Sequence, residues 1–270
     1  MDKYVVVGNP IKHSKSPFIH QQFAQQTDQN IVYQKELVDL DGFSAFIQQF
    51  KAVGGKGCNV TVPFKEEAYA LADTLSERAR AAGAVNTLIF NADGSITGDN
   101  TDGQGLVGDL LNQQVAIKEK RILVIGAGGA ARGCILPILN QSPSEVVIAN
   151  RTASKAASLA QQFNHAGNIK SCEFAELSGV FDIIINSTSA SLSGALPPID
   201  ESIIAQADCC YDMAYGSEET CFLAWARELG VAKTIDGLGM LVGQAAESFR
   251  IWRGVLPKTD SVLNQMRQGL

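Results

Sequence analysis

The sequence predicts an α/β protein of two domains, the second of which has a doubly wound parallel sheet. The chain has 270 residues, of which 46% are apolar, and this is enough to bury the cores of two domains. From Arg121 onward, short apolar runs alternate regularly with helical segments, as expected of parallel strands joined by crossover helices. A glycine-rich turn joins the first of these runs to the first helix, as a doubly wound unit requires.

The second half of the chain supplies the parallel sheet. Its predicted strands cover residues 122–125, 146–150, 182–186, 208–212 and 231–235. Helices are predicted at 152–163 and 218–229. Gly230 ends the second of these helices, and Pro137 should kink the helix that follows the first strand.

The first half mixes strands and helices. Strands are predicted at 4–7, 32–38 and 58–62, a turn at 54–57, and a hairpin at 86–90 and 95–97. Helices are predicted at 18–25, at 43–50, from 63 to about 82, and from 102 with Leu106, Leu110 and Leu111 facing inward. No strand follows the long helix after Gly237, so we expect this tail to return to the first domain. We therefore assign residues 1–101 plus 238–270 to an N-terminal α/β domain, and 102–237 to a Rossmann-like domain.

The turn Gly126-x-Gly128-x-x-Ala131 predicts a dinucleotide site. Gly126 lets the chain reverse after its strand, Gly128 lets a pyrophosphate approach the backbone, and Ala131 is small enough for close helix packing. The N-terminus of the following helix then directs unpaired N–H groups and a partial positive charge at the phosphates.

The end of the second strand favours NADP over NAD. NAD-binding units usually place an acidic residue there, whereas this chain has Asn150, Arg151 and Thr152. An amide does not repel a 2′-phosphate, Arg151 can stack on adenine and pair with the phosphate, and Thr152 can donate while it caps the helix. Lys155, one turn later, adds positive charge.

Several polar residues of the first half have both a structural and a functional interpretation. Ser16 suits a helix cap with Pro17 at the first helical position, but this leaves Ser14 unexplained; alternatively, both hydroxyls donate to an anionic ligand. Lys65 lies in the first turn of its helix, where the dipole disfavours a positive charge, and is either a solvated surface lysine or a functional group. Asp102 is either a helix cap or a functional carboxylate.

Composition argues against several classes of partner and site. The net charge is −6 without a basic stretch, so we expect no nucleic acid. No apolar run has membrane-spanning length, and the N-terminus leads directly into a strand, so we expect neither membrane insertion nor a signal peptide. The six cysteines show no CxxC spacing, which predicts reduced thiols in a cytoplasmic protein. The three histidines are too scattered to predict a metal site.

Five segments together resemble the shikimate dehydrogenase family, and the resemblance covers the whole chain. The segments are Gly8-Asn-Pro-Ile-x-His-Ser-x-Ser-Pro17, Asn59-Val-Thr-Val-Pro-Phe-Lys65, Gly83-Ala-Val-Asn-Thr87, Gly98-Asp-Asn-Thr-Asp-Gly103 and Asp236-Gly-Leu-Gly-Met-Leu-Val-Gly-Gln244. The resemblance implies a reversible NADPH-dependent reduction of 3-dehydroshikimate to shikimate in aromatic amino-acid biosynthesis. It also implies a small-molecule substrate and a homodimer.

The resemblance implies a set of site residues as well. Lys65 is implied as the catalytic acid and base, with Asp102 beside it. The residues implied for substrate binding are Ser14, Ser16, Thr61, Lys65, Asn86, Asp102, Tyr215 and Gln244. Those implied for cofactor binding are Glu77, Gly126, Ala127, Gly128, Gly129, Ala130, Ala149, Asn150, Arg151, Thr152, Ala153, Ser154, Met213 and Gly237. For Glu77, only the resemblance supports this role, and no independent physical argument does.

The chemistry of ketone reduction agrees with these roles, because the cofactor supplies the hydride and the protein must supply a proton. Partial desolvation favours the neutral amine of Lys65, whereas Asp102 favours its ammonium form and would orient it. One alternative is an NAD-linked quinate or quinate/shikimate dehydrogenase, which Asn150 and Arg151 disfavour. Another is a non-catalytic NADP-responsive regulator, which need not retain Lys65 together with Asp102.

Overall fold

The computed structural model describes residues 1–269, apart from the side chain of Leu192. It divides into two compact units. The first comprises Met1–Gly105 and Val242–Met266, and the second comprises Leu106–Leu241 and the residues from Arg267 onward. Both units combine helices with a central sheet, so the predicted α/β class is confirmed.

Within the described residues, the first unit has a mixed sheet of six strands. The strands are β1 (Asp2–Gly8), β2 (Ile31–Leu37), β3 (Gly55–Val60), β4 (Thr74–Leu75), β5 (Thr87–Phe90) and β6 (Ile96–Asp99). Their order across the sheet is β2-β1-β3-β5-β6-β4. β1 runs parallel to β2 and β3, whereas β5 runs antiparallel to both β3 and β6.

In the sequence, four helices lie between these strands and a fifth follows β6. They are α1 (Ser16–Gln26), α2 (Phe43–Ala52), α3 (Lys65–Leu71), α4 (Glu77–Ala82) and α5 (Asp102–Asn112). α5 begins in the first unit and ends in the second.

The register of the first sheet brings four strand ends to one edge. Val7 pairs with Val60, Asn59 pairs with Thr87, and Thr87 pairs with Asp99. Because β5 is reversed, its first residue lies beside the last residues of β3 and β6. Residues that follow β1, β3 and β6, and the residue that precedes β5, are therefore neighbours in space although they are far apart in sequence.

The second unit has a parallel sheet of six strands among the residues described. The strands are β7 (Arg121–Ile125), β8 (Glu145–Ala149), β9 (Ile169–Cys172), β10 (Ile183–Asn186), β11 (Cys209–Asp212) and β12 (Lys233–Asp236). The longer helices of this half are α6 (Gly129–Leu139), α7 (Ala153–Phe163), α8 (Glu201–Ala205) and α9 (Cys221–Glu228), followed by α10 (Leu238–Arg253) and α11 (Asp260–Gln268). Short 3₁₀ turns cover Phe174–Glu176 and Ala190–Ser193.

The strand order of the second sheet is β12-β11-β10-β7-β8-β9, and all of its pairs are parallel. The chain moves outward from β7 through β8 to β9, then returns to β10 on the other side of β7. This reversal makes β7 and β10 the switch point of a doubly wound sheet, and ligands bind outside the carboxyl ends of the strands at such a point.

Each unit has its own apolar core. In the first, Phe43 and Phe64 are stacked with ring centroids 5.0 Å apart and are almost completely buried. In the second, Leu123, Ile184 and Phe222 are fully buried in one cluster. Each such side chain contributes about 1.5–3 kcal/mol through burial. Cysteine pairing adds nothing to either core, because the six cysteines within residues 1–269 are free thiols.

The predicted helix from 63 to about 82 is wrong, because the segment contains α3, the short strand β4 and α4. The chain becomes extended at Ala72, where Asp73 exchanges hydrogen bonds with Ile96: its amide donates to the Ile96 carbonyl and its carboxylate accepts from the Ile96 amide. Ser76 then starts α4 by accepting a hydrogen bond from the Ala79 amide. Pairing with β6 therefore overrides the local helical pattern.

Two smaller predictions also fail, and one strand was not predicted. Leu111 was expected to face inward with Leu106 and Leu110, but its exposed fraction is 49%. The predicted turn at 54–57 is largely strand, because Gly55 begins β3 and Gly57 lies against the indole ring of Trp252. The strand β9 was not predicted, since it is short and only partly buried.

His20 is the most unusual buried group of the first unit. Its exposed fraction is 0%, and its ring stacks on Tyr33 with centroids 4.1 Å apart and planes at 6°. Burial lowers the pKa of His20 to about 3, because the apolar surroundings disfavour the charged imidazolium.

This burial predicts a loss of stability in mild acid. The unfolded chain binds a proton at His20 below about pH 6.5, whereas the folded chain does not until about pH 3, so stability falls as the pH drops between these values. When the pH is lowered from 7.5 to 5.0, the wild type should lose about 2 kcal/mol of unfolding free energy through His20. The variant His20→Phe should not show this loss. Urea unfolding followed by Trp252 fluorescence in a Trp225→Phe background measures this difference.

The exposed histidine of the same unit provides the control, since His13→Gln removes a histidine without touching the stack. An equal acid dependence for His20→Phe and the wild type would contradict the assignment of a buried neutral imidazole.

Candidate active site

Lys65 and Asp102 form an ion pair at the edge of the first sheet. Lys65 begins α3 and Asp102 begins α5, and Lys65 Nζ lies 2.6 Å from Asp102 Oδ2. The exposed fraction is 30% for the lysine side chain and 14% for the aspartate side chain. The ammonium group therefore reaches solvent while the carboxylate is largely covered. A proton donor or acceptor held in position by a carboxylate is suited to general acid–base catalysis.

Asn86 holds the other oxygen of the carboxylate. Its Nδ2 donates to Asp102 Oδ1 at 2.8 Å, and its Oδ1 accepts from the Thr101 backbone amide at 3.0 Å. Because a backbone N–H only donates and a carboxylate only accepts, these two bonds allow a single orientation of the Asn86 amide. Both oxygens of Asp102 therefore have a defined partner.

The capping interpretation of Asp102 is not supported. Asn100 takes this role at the start of α5, since its Oδ1 accepts from the Asp102 backbone amide at 3.2 Å. The Asp102 carboxylate is directed to Lys65 and Asn86 instead.

Ser14 and Ser16 lie in the loop between β1 and α1. The residue at the N-cap is Lys15, which makes no side-chain cap bond, and Ser16 is the first helical residue, so the capping interpretation of Ser16 is wrong. Ser14 Oγ accepts from the Ser16 amide at 3.4 Å, which leaves the Ser14 hydroxyl proton available to a ligand. Amide groups in the uncapped first turn of α1 suit an anion.

Thr61 lies directly after β3, beside the end of β1. Its amide donates to the Val7 carbonyl at 2.9 Å, which keeps the two strand ends together. A Cβ on Gly8 would lie 2.5 Å from the Thr61 methyl group. Glycine at position 8 therefore allows the end of β1, which precedes the loop of Ser14, to approach Thr61.

The remaining residues predicted for the substrate differ in their location. Gln244 lies on α10, and its Oε1 is 3.4 Å from Asn86 Nδ2, so it joins the Lys65 and Asp102 cluster. Tyr215 belongs to the second unit, where it follows β11. Burial raises the pKa of Tyr215, so its phenol remains a neutral hydrogen-bond donor. Glu77, predicted for the cofactor, is an exposed residue of the first unit at the start of α4.

The glycine-rich turn of the second unit has the geometry that its sequence predicts. Gly126 has a φ of +108°, and a Cβ there would lie 2.5 Å from Ser187 Oγ, in the loop after β10. Gly128 is the N-cap of α6, and nothing lies within 4 Å of a Cβ built on it. Ala131 is fully buried against the sheet. The turn therefore leaves open space at the helix N-terminus, as a pyrophosphate requires.

The end of β8 carries a positive charge and no carboxylate. Ala149 is buried, and the Asn150 side-chain amide donates to the Thr152 carbonyl at 3.0 Å. Arg151 and Thr152 are exposed. Thr152 is the N-cap of α7 but makes no side-chain cap bond, so the expected capping by its hydroxyl is wrong. Ala153 and Ser154 form the first turn of α7, and the exposed basic side chain fits a phosphate-bearing ribose.

Met213 and Gly237 are in close contact at the ends of two adjacent strands, β11 and β12. The Gly237 amide donates to the Ala214 carbonyl at 3.0 Å, and the Met213 amide donates to the Asn186 carbonyl at 2.9 Å. A Cβ on Gly237 would collide with the Met213 carbonyl oxygen. Only glycine allows this approach of the two main chains.

Sequence reasoning missed several buried polar residues behind the Lys65 and Asp102 pair. They are Tyr33, Asn59, Thr87, Thr101 and Ser248. A signal was available for some of them, because a polar residue at an inward position of a strand or helix has to find a partner in the core. The partner itself depends on sheet register, which the sequence does not reveal.

The two sites together define a class of protein, the oxidoreductases that use NADP to interconvert a hydroxyl group and a ketone. Family models narrow this class. The model described as shikimate dehydrogenase substrate binding domain matches residues 6–88, that of shikimate / quinate 5-dehydrogenase matches 109–194, and that of the shikimate 5'-dehydrogenase C-terminal domain matches 237–267.

Relatives and solved structures agree with the family models. The chain is 57% identical over 270 residues to shikimate dehydrogenase (NADP(+)) of Vibrio cholerae, with 100% of this chain and 97% of the relative covered. The protein of the same name from Photobacterium profundum is 58% identical over 269 residues, with coverage of 99% and 98%. The chain belongs to the shikimate dehydrogenase family, and it is an NADP-dependent oxidoreductase that acts on a CH–OH group.

Two crystal structures show the same fold. An Ael1 enzyme from Pseudomonas putida is 47% identical with a TM-score of 0.95, and 98% of each chain is covered. Shikimate 5-dehydrogenase from Thermus thermophilus, in complex with NADP(H) and shikimate, is 28% identical with a TM-score of 0.89, and 100% of each chain is covered. Across residues 1–269, no helix is both long enough and apolar enough to cross a membrane.

Proposed function

We propose that the chain catalyses the reversible NADPH-dependent reduction of 3-dehydroshikimate to shikimate, with Lys65 as the acid and base. The observation that carries this proposal is the 2.6 Å contact between Lys65 Nζ and Asp102 Oδ2 beside the hydroxyl-bearing loops of the first sheet. An isolated surface lysine would not be held by a largely covered carboxylate, and membership of the family supplies the substrate class.

The substrate residues match a cyclic hydroxy acid. Ser14 and Ser16 would bind the carboxylate, since one hydroxyl is available and α1 begins there without a side-chain cap. A second group of residues would surround the ring and its hydroxyls: Thr61, Asn86, Asp102 and Gln244. Tyr215 would add a neutral phenol donor to the substrate. A neutral polyol would have no use for the anion-binding loop.

Lys65 transfers the proton to and from the substrate oxygen. NADPH, when bound, supplies the hydride for the carbonyl carbon. During reduction, the Lys65 ammonium donates a proton to the developing alkoxide oxygen; during oxidation, the amine accepts it. Asp102 orients the lysine through Oδ2 while Asn86 holds Oδ1. A positioned acid or base of this kind contributes about 10²–10⁴ in rate.

The second unit would hold the cofactor. The pyrophosphate would lie on the turn formed by Gly126, Ala127, Gly128, Gly129 and Ala130. The phosphate-bearing ribose would contact the residues from Ala149 to Ser154, and main-chain groups of Met213 and Gly237 would border the nicotinamide. Glu77 is proposed from the resemblance alone.

The domain assignment, assembly and location are also proposals. We assign residues 1–101 plus 238–270 to substrate binding and 102–237 to NADP binding. The compact units divide a few residues later, inside α5 and α10, and the residues from Arg267 onward belong to the second unit. The family resemblance supports a homodimer. A cytoplasmic location is supported by the six free thiols.

An NAD-linked quinate/shikimate dehydrogenase is the second candidate. It is favoured by the family description that includes quinate, and by a Listeria monocytogenes relative, 26% identical, solved with shikimate and NAD. Asn150 and Arg151 argue against it, because they do not provide the carboxylate that an NAD ribose prefers. A non-catalytic regulator is disfavoured, since the Lys65 and Asp102 pair would serve no purpose in it.

A matrix of two acids and two cofactors separates these candidates. Purified protein should reduce NADP with shikimate, followed by absorbance of NADPH, and kcat/KM should be at least about tenfold lower with NAD or with quinate. Faster turnover of quinate with NAD would favour the second candidate. Absence of turnover in all four combinations would leave the regulator.

Lys65→Met removes the proton donor while keeping the length of the side chain. Turnover with shikimate and NADP should fall at least about a hundredfold, while the KM for shikimate changes only a few-fold because the carboxylate loop is intact. Steady-state kinetics give both constants. Lys56→Met, at an exposed position of the same unit, is the control, and near-normal turnover of Lys65→Met would remove the lysine from its role.

Arg151→Ala removes the positive charge at the end of β8. The KM for NADP should rise roughly ten- to a hundredfold, since a charge-assisted bond contributes about 1.5–3 kcal/mol, and the KM for shikimate should stay nearly constant. The preference for NADP over NAD should fall by the same factor. Lys118→Ala, at an exposed position of the second unit, controls for loss of charge. An unchanged KM for NADP would disprove the 2′-phosphate contact.

A further inference from the structure

Four polar side chains lie in the interior of the first unit without an assigned role. Thr87 and Ser248 have exposed fractions of 0%, Asn59 of 6% and Tyr33 of 8%. Tyr33, Asn59 and Thr87 belong to β2, β3 and β5, and Ser248 belongs to α10. Burying such groups costs free energy that apolar residues of similar volume would not cost, so their partners need an explanation.

The first link joins Tyr33 to Asn59. Asn59 Nδ2 lies 3.1 Å from the Asn86 main-chain carbonyl, which can only accept. The nitrogen must therefore face Asn86, and Asn59 Oδ1 faces the phenol of Tyr33 at 2.7 Å. Since Asn59 Oδ1 also only accepts, the Tyr33 hydroxyl must be the donor.

The second link passes through Thr87. Its Oγ1 accepts from Asn59 Nδ2 at 3.1 Å, and its own proton reaches Asn86 Oδ1 at 2.8 Å. Ser248 Oγ lies 2.8 Å from the same hydroxyl and donates to the Gln244 carbonyl at 3.0 Å. The serine thus fixes the Thr87 side chain from the side of α10.

All donors of this chain point in one direction. They run from Tyr33 through Asn59, Thr87 and Asn86 to Asp102 Oδ1. Hydrogen bonds aligned in this way polarise one another in a low-dielectric interior, and each strengthens the next. The last bond of the chain is the one that holds the carboxylate of Asp102 in place against Lys65.

Tyr33 is itself held in position. His20, which belongs to α1, stacks on its ring with centroids 4.1 Å apart and planes at 6°. Ser16 is a proposed ligand of the substrate carboxylate. Ser16 begins the same helix as His20, so these hydrogen bonds start at a phenol packed against α1 and end at the ion pair of Lys65 and Asp102.

We propose that Tyr33 and Thr87 are positioning residues for catalysis, which act through Asn59 and Asn86 to fix the Asp102 carboxylate against Lys65. The inference rests on the proposed function, because it concerns the same acid–base pair. Tyr33, Asn59 and Thr87 are buried, so their contribution lies in the geometry of Asn86 and Asp102.

Tyr33→Phe tests the proposal, since it removes one oxygen and keeps the ring and its stack. It should lower kcat for shikimate oxidation roughly five- to tenfold, with the KM for NADP and for shikimate unchanged within about twofold. Thr87→Val, which removes the donor to Asn86 at nearly constant volume, should give the same loss, and it replaces Tyr33→Phe if that variant does not fold. Tyr69→Phe removes a phenol that belongs to the same unit but takes no part in this row of hydrogen bonds, and it serves as the matched control.

A double-mutant cycle separates positioning from general destabilisation. In an Asp102→Asn background, Tyr33→Phe should have no further effect on kcat. Tyr33 acts through the hydrogen bond from Asn86 to the Asp102 carboxylate, and this variant has no carboxylate at position 102. A multiplicative loss in both backgrounds, or normal kcat for both Tyr33→Phe and Thr87→Val, would overturn the proposal.

A spectroscopic measurement keeps this test independent of the proposed function. In ¹⁵N–¹H spectra, the Asn86 side-chain amide, assigned with Asn86→Asp, should shift in Tyr33→Phe and in Thr87→Val but not in Tyr69→Phe. An unshifted Asn86 amide would disprove the connected hydrogen bonds from Tyr33 to Asp102, whatever the activity. A shifted amide in a protein that does not turn over shikimate would disprove the proposed function but would support the connected hydrogen bonds.

Discussion

The carboxylate of Asp102 is the constraint on which the first unit depends. It lies largely out of water, so each of its oxygens needs a partner: Lys65 supplies one and Asn86 supplies the other. Asn100 takes over the start of α5 and so releases the carboxylate from capping. The same arrangement that stabilises the charge therefore fixes the Lys65 ammonium group, and the geometry that we propose for catalysis follows from satisfying a buried anion.

Sheet topology explains why these residues meet at all. In the first unit, reversal of β5 puts Asn86 beside the residues that follow β3 and β6, a meeting that an all-parallel order would prevent. In the second unit, by contrast, the strands are parallel, and the sheet leaves a gap at the carboxyl ends of β7 and β10. Gly126 fits there against Ser187 only because its φ of +108° is open to glycine.

Much of the candidate site could be predicted from sequence because its signals are local. The turn at Gly126 depends on consecutive residues, and Lys65 attracts notice through its position at a helix start. Thr87 and Ser248 were missed because their hydrogen-bond partners depend on sheet register and on a helix far away in the sequence. The break between α3 and α4 was missed for the same reason, since pairing of β4 with β6 decides it. Tertiary pairing thus overrides propensity where segments are short.

The polar interior of the first unit also restricts which residue can occupy position 86. The side chain must accept from the Thr101 amide on one side and donate to a carboxylate on the other. Aspartate would accept correctly but would place a second negative charge beside Asp102, and leucine would leave the Thr101 amide without its acceptor. A side-chain amide of this length meets both conditions, and the Thr87 hydroxyl, bonded to the same oxygen, keeps it from rotating. The orientation of the Asp102 carboxylate, and with it that of the ion pair with Lys65, is therefore set within the protein interior.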